Sequence, residues 1–287
     1  GLALAYEQGM VFGQDIVFTF GPLGALDSWM YWPSIYLPSL MFWAALSGLS
    51  GWLLIRTDDD RPHGLWQAAA TLLFMSLTPD TALMLLPLAY CADALRNRRR
   101  DHMSVAALVG MSALVLIKVT LIPLCLAALV CAAVLRDERP HWRFTLDLAL
   151  IVLPALLWWR LLDQPFAALA PYLALSFDVT RGYAEAMSLP TREGVAIGLG
   201  LCGLGLAWLL WQQARAMPAN LWQRLAWPGF VLFSMLIAWR HSITRGDGEH
   251  LVIGFSYFGG IASYSSVLVP ARRKLAIGIA VVCFIGI

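Results

Sequence analysis

IYLPSLMFWAALSGLSGWLLI, residues 35–55, contains no charged side chain and closes on Arg56. Its length matches the about 20 residues that carry a helix across a bilayer. A helix is also the one open-ended conformation that satisfies its own backbone in lipid. This run decides the fold, because similar apolar stretches return at 144–162, 194–211, 225–239 and 251–269. The composition agrees: 60% of the 287 residues are hydrophobic and 13% charged, against about 45–50% and about 25% in soluble domains. Mean hydropathy is +0.69. The pattern predicts an all-α, polytopic transmembrane helical bundle with short interfacial helices. The formal charge of +2 is spread over short loops, which excludes a nucleic-acid partner.

Downstream of the first span the apolar runs shorten. Residues 65–77 and 81–95 are separated by Thr78-Pro79-Asp80 and end at Arg96, Arg98, Arg99 and Arg100. Residues 103–117 and 119–135 flank Lys118 and end at Arg136, Arg139 and Arg143. Each run is too short to cross upright, so these pairs are expected as hairpins that stop short of the far face or lie buried among other helices. The terminal run 275–287 is short as well, and residue 1 is not Met, so the chain is expected to be truncated at both ends.

Most of the 20 Lys and Arg fall in alternate loops, after residues 55, 95, 135, 211 and 271 and including Arg61, Arg215, Arg224, Arg272, Arg273 and Lys274. Cations of this kind mark the cytoplasmic side. The opposite, extracytoplasmic side then receives residues 1–34, a long loop at 163–193 and a polar loop at 240–250. The division is therefore 1–34, an outer loop with an interfacial helix, and 35–287, the multi-spanning domain. A bacterial inner membrane is the expected location.

Residues 1–34 hold no Lys or Arg. Leu2, Ala3, Leu4 and Ala5 ahead of Glu7 predict a short helix along the interface, and Trp29, Tyr31 and Trp32 predict an aromatic belt. Between them GQDIVFTFGPLG, residues 13–24, carries Asp15, the one carboxylate between Glu7 and Asp27. By residue type alone Asp15 caps a turn or faces solvent; its position at the edge of a bilayer also suits a catalytic acid or base.

Residues 240–250 place Arg240, His241, Arg245, Asp247, Glu249 and His250 at the mouth of a helix pair, with Gly246 and Gly248 permitting a tight turn. Arginine grips phosphate through paired hydrogen bonds and histidine moves protons near neutrality. A solvated loop between two helices is the plainer alternative. Lys118 interrupts apolar sequence, where a central charge costs about 2.5–3.5 kcal/mol. It is either a snorkelling lysine at a helix end or a cation facing a polar cavity.

Other signals are weak. Cys91, Cys125, Cys131, Cys202 and Cys283 lack CxxC spacing and read as packing residues. His241, Asp247 and His250 lack any HExxH-type helix that would assign zinc. Gly198, Gly200 and Gly203 match a dinucleotide-binding pattern but lie inside an apolar run, where small residues serve helix packing. No P-loop and no Gly-x-Ser-x-Gly elbow occurs, which removes support for an ATP-driven pump or a serine hydrolase.

With these features the chain resembles the C-type (GT-C superfamily) glycosyltransferases, in motif only at residues 12–24 and 245–250. The resemblance implies transfer of a sugar from a polyprenyl-phosphate carrier to a glycan, lipid or protein acceptor on the outer face. Asp15 matches the family's catalytic acidic residue in the first outer loop and would be the general base. Lys118, Arg240, His241, Arg245, Asp247 and His250 would bind the lipid phosphate. No metal ligand is assigned, and a divalent cation is left open as the sole cofactor. A rival class is a transporter or lipid flippase with Lys118, Asp147 and Arg160 along its path; a third is an assembly subunit without an active site.

Overall fold

In a computed structural model, the structure describes residues 1–27, 31–56, 61–98, 100–136, 142–186, 188–189, 193–217, 220–268 and 272–287. Trp29 of the expected belt, the Asp58-Asp59-Asp60 turn, Arg99, Arg139 and Arg192 lie outside the described residues. The chain is all-α. Its helices are α1 (Leu2–Glu7), α2 (Pro33–Ile55), α3 (Arg61–Met75), α4 (Pro79–Arg96), α5 (His102–Ile117) and α6 (Leu121–Leu135). They continue as α7 (Trp142–Leu161), α8 (Leu169–Ala186), α9 (Glu193–Ala216), α10 (Leu221–Arg245), α11 (Gly248–Leu268) and α12 (Arg273–Ile285).

Among the described residues four helices, α2, α7, α9 and α10, are long and apolar enough to cross a membrane. They leave Leu37 and Met41 of α2, Leu153 and Leu157 of α7, and Leu201 and Leu204 of α9 exposed. Apolar surface of that extent is stable in contact with lipid rather than water. The molecule is an integral membrane protein.

The bundle is built around α4. Thr78 caps it by accepting from the Thr81 N–H at 3.2 Å, and Pro79 at the first helical position lacks the N–H that would otherwise go unpaired. From Thr81 to Ala94 every side chain is buried, the pattern of a helix packed on all sides. Its neighbours are α2, α3, α5, α6, α10 and α11. The short runs are short helices, as expected: α5 has 16 residues and α6 has 15, giving each about 22–24 Å of rise.

At the basic end, α4 terminates in a buried ionic clasp. Arg56, which caps α2, donates from Nε to Asp93 Oδ1 at 2.7 Å and from Nη2 to Oδ2 at 2.6 Å. It also reaches Asp101 Oδ2 at 2.5 Å. Arg136, ending α6, donates to the Tyr90 hydroxyl at 2.9 Å and the Ser104 hydroxyl at 3.1 Å, and stands 3.7 Å from Asp93. Four helices are tied together there, and the arginines that mark the basic side are partly structural.

At the other end the α5–α6 hairpin stops short, and the first loop covers its tip. The Gly21 N–H donates to the Ile117 carbonyl at 3.0 Å, Leu23 N–H to Leu116 at 3.2 Å, and Val119 N–H to Thr19 at 2.9 Å. Two further anchors hold the loop. Gln164 accepts from the Phe12 N–H at 2.9 Å and donates to the Met10 carbonyl at 3.2 Å; the Ser176 hydroxyl donates to the Phe18 carbonyl at 2.7 Å.

The connection 163–193, expected as a loop, is largely helical. Pro165 leads into a 3-10 turn at Phe166–Ala168 and then α8. Tyr172 of α8 packs on Trp159 of α7 and edge-on against Phe12 of the loop. That apolar contact supplies the burial that the charged residues nearby concealed from a reading of composition.

Asp93→Asn should lower stability by about 3–5 kcal/mol, the usual consequence of leaving buried guanidinium groups without their counter-charge. Equilibrium unfolding in mild detergent measures it, and an unchanged midpoint would show that the clasp carries no stability. Gly21→Ala should release the first loop, because an added Cβ would collide with the Leu116 carbonyl and lie 2.6 Å from the Tyr172 hydroxyl. Faster proteolysis within residues 10–24 would report it.

Candidate functional site

Where the first loop meets the head of α4, ionisable side chains from five segments converge. Lys118 follows α5 in extended conformation and is 8% exposed. Its backbone pairs with Phe20, and its ammonium lies 4.8 Å from the Phe20 ring centroid. That ammonium forms an ion pair with Asp80 of α4. Asp80 sits in the first turn of α4, where the helix dipole also favours a carboxylate.

From Asp80 the contacts run outward. His241 Nε2 of α10 is 3.5 Å from Asp80 Oδ2. The His241 ring centroid is 5.5 Å from that of His250 on α11. His250 Nδ1 is 2.6 Å from Asp247 Oδ1, and Asp247 Oδ2 is 3.3 Å from Arg245 Nε. The result is a ladder, Lys118, Asp80, His241, His250, Asp247, Arg245, running from beneath the loop to the surface.

The local sequence explains its outer rungs. Helix α10 continues to Arg245, and the turn into α11 is only Gly246 and Asp247. Gly246 has φ +58, the left-handed C-terminal cap for which glycine carries no Cβ penalty. Asp247 then accepts from the His250 N–H at 3.0 Å, as an N-terminal cap does. That bond leads the influences that hold the Asp247 carboxyl below its ordinary range, against the opposing effect of burial.

The sequence-based candidates divide. Lys118, His241, Arg245, Asp247 and His250 come together. Arg240 stays exposed on α10, and among the described residues its guanidinium has no bonded partner. Asp15 is exposed too. Its Oδ2 accepts from the Val11 N–H at 2.8 Å, closing a turn in which the Gly13 N–H donates to the Ile16 carbonyl at 2.8 Å. The side chain of Glu249 lies outside the description. Two carboxylates that the sequence did not single out take part instead. Asp80 is one. The other is Asp27, at the end of the 3-10 turn Gly24–Asp27, within electrostatic reach of both Asp80 and Lys118.

Asp27 differs from the rest. Its Oδ1 is buried and has no hydrogen-bond partner among the described residues. Burial, followed by repulsion from Asp80 and against the pull of Lys118, raises its carboxyl to about 7. Both Asp27 and Asp80 had visible signals: one lies within the Lys- and Arg-free residues 1–34, the other sits in the break between two apolar runs.

Two hollows lie nearby. A cavity of about 300 Å³ opens between α1, the first loop and the end of α7, lined by Tyr6, Glu7, Met10, Phe12, Asp163 and Gln164. A wholly apolar groove of about 170 Å³ runs down the flank of α5, α6, α7 and α8, lined among others by Leu116, Leu126, Val152, Trp159 and Tyr172. Its upper end, at Leu116, is two residues from Lys118. Among the described residues no three His, Cys, Asp or Glu side chains are grouped to hold a metal ion.

Asp147 and Arg160 are elsewhere. Asp147 pairs with Arg100 at 2.5 Å and Arg160 with Asp163 at 3.6 Å, the latter on exposed surface. They do not join Lys118 along one path. Comparison with protein-family models, curated proteins and solved structures finds no match.

Lys118→Met should cost about 3 kcal/mol by leaving Asp80 without its cation, and Asp80→Asn in the same chain should recover most of it. Thermal unfolding of the two single variants and the double variant measures the coupling; additive losses would show that the pair is not energetically linked.

Proposed function

We propose that the chain is a membrane transferase that moves a sugar from a polyprenyl-phosphate carrier to an acceptor at the outer face. The observation that carries this reading is the ladder from Lys118 to Arg245, recessed beneath the first loop and next to an apolar groove on the membrane flank. A substrate with a long apolar chain and an anionic head matches that combination. The chain would lie along the groove past Leu116, and the phosphate would reach Lys118, His241 and Arg245, with Arg240 at the rim.

In the resting site both fixed cations of the ladder are already matched, Lys118 by Asp80 and Arg245 by Asp247. An arriving phosphate therefore exchanges with a carboxylate, and selectivity comes from that exchange rather than from a surplus of positive charge. Charge that develops on the departing phosphate is then met by the ammonium and guanidinium. The acceptor hydroxyl attacks the anomeric carbon as a general base removes its proton. Two groups are candidates for that role: Asp15, on exposed surface with its Oδ2 accepting from the Val11 N–H, and His250, oriented through Nδ1 by Asp247.

The transporter alternative draws less support, since Asp147 and Arg160 stand apart from Lys118, paired with Arg100 and Asp163.

Membranes carrying the chain should incorporate sugar from a polyprenyl-phosphate-linked donor, and Lys118→Met should reduce incorporation at least about 100-fold. The base is whichever of Asp15→Asn and His250→Ala lowers kcat by about 10²–10⁴. Full transfer by Lys118→Met, in protein shown to be inserted and folded, would end the proposal.

A further inference from the structure

Counting charges beneath the first loop leaves one carboxyl without a counter-ion. Lys118 and Arg245 are the fixed cations of the ladder, and Asp80 and Asp247 occupy them. Asp27 is the third carboxyl. Its Oδ1 is enclosed and has no hydrogen-bond donor among the described residues, an arrangement that burial makes unfavourable for an anion and tolerable for a neutral acid.

The placement of Asp27 is built rather than incidental. The 3-10 turn that ends in Asp27 follows directly on the backbone pairing of residues 19–23 with residues 116–119. The Trp43 indole N–H donates to the Leu26 carbonyl at 3.1 Å, fixing the turn against α2. The turn packs on α1, α2 and α5. Around Asp27, α4 presents Asp80 and the α5–α6 junction presents Lys118. Glu7 of α1 is engaged by Ser34 at the head of α2, accepting from its hydroxyl at 2.7 Å. His241 and His250 stand behind Asp80 and act on it electrostatically.

We infer that Asp27 is the protonated carboxyl of this site and serves as its general acid, giving its proton to the phosphate oxygen that leaves the sugar. This rests on the transferase reading and adds the group that completes the proton balance. The bond between the anomeric carbon and the phosphate oxygen breaks, and its electron pair goes to that oxygen. The Asp27 proton joins the same oxygen, so the phosphomonoester departs without a second full negative charge beside Asp80. The acceptor oxygen bonds to the anomeric carbon while its proton passes to the base. Asp27, now ionised, is briefly compensated by Lys118 and regains a proton before the next turnover.

A carboxyl raised to about 7 holds its proton below neutrality and loses it above, so both the spectroscopic and the kinetic sign are fixed. Infrared difference spectra of the full chain in membranes, titrated from about pH 6 to about pH 8, should show a carboxylic-acid C=O band that disappears as pH rises. The band should be missing in Asp27→Asn and displaced in Asp27→Glu. In Asp80→Asn it should disappear at lower pH, because the repelling charge is gone. Sugar transfer by the wild type should fall across the same interval, and Asp27→Asn should lose at least about 10-fold in kcat while retaining KM.

A wild-type spectrum without that band, or one in which Asp27→Asn leaves it in place, overturns the assignment of Asp27 and leaves the transferase reading intact. The expected band together with no sugar transfer by any preparation overturns the transferase reading, and the acid role with it. A band as expected with full transfer by Asp27→Asn overturns the acid role alone.

Discussion

Helix α4 cannot be buried without a solution for the carboxylates at its two ends. Asp80 and Asp93 are 13 positions apart, which is about 20 Å of helix, and the side chains from Thr81 to Ala94 are enclosed. An enclosed carboxylate left alone would be too unfavourable to ionise. The fold answers at both ends, with Lys118 and His241 at Asp80 and with Arg56 and Arg136 at Asp93. Because those partners belong to the segment after α5 and to α10 at one end, and to α2 and α6 at the other, the two neutralisations also fix how the helices stand beside one another.

The two ends are not equivalent. At Asp93 the guanidinium groups have multiple short hydrogen bonds to Asp93, Asp101, Tyr90 and Ser104, so the clasp is densely bonded. At Asp80 the bonds are fewer, imidazoles are interposed, and the cover is a loop rather than a helix. Brevity in the α5–α6 hairpin creates this difference. A hairpin of full crossing length would have filled the space that the first loop, Lys118 and Asp27 now share. That end also holds Asp27 Oδ1, buried and without a hydrogen-bond partner among the described residues, and it is the end on which the transferase proposal depends.

The apolar groove gives that end a second property. It lies on the flank of the bundle with Leu126 and Val152 exposed, the surface that the transferase proposal gives to the apolar chain of its donor. The same topology separates the roles of the two aspartates of residues 1–34. Asp15 shapes its own exposed turn, and Asp27 is carried under the loop by the pairing of residues 19–23 with the tip of α5.

Hydropathy and charge period by themselves determined the membrane class, the positions of α2, α7, α9 and α10, the short hairpins, the basic end and the polar concentration at 240–250. These are properties of one segment at a time, and a helix in lipid has to satisfy them locally. The gathering of Lys118 with His241, Arg245, Asp247 and His250, the entry of Asp80 and Asp27 into that group, the exposure of Arg240 and the helical form of 169–186 were decided only by the tertiary structure. Each depends on which face of one helix meets another, and that register follows from the packing of distant segments rather than from any period within one of them.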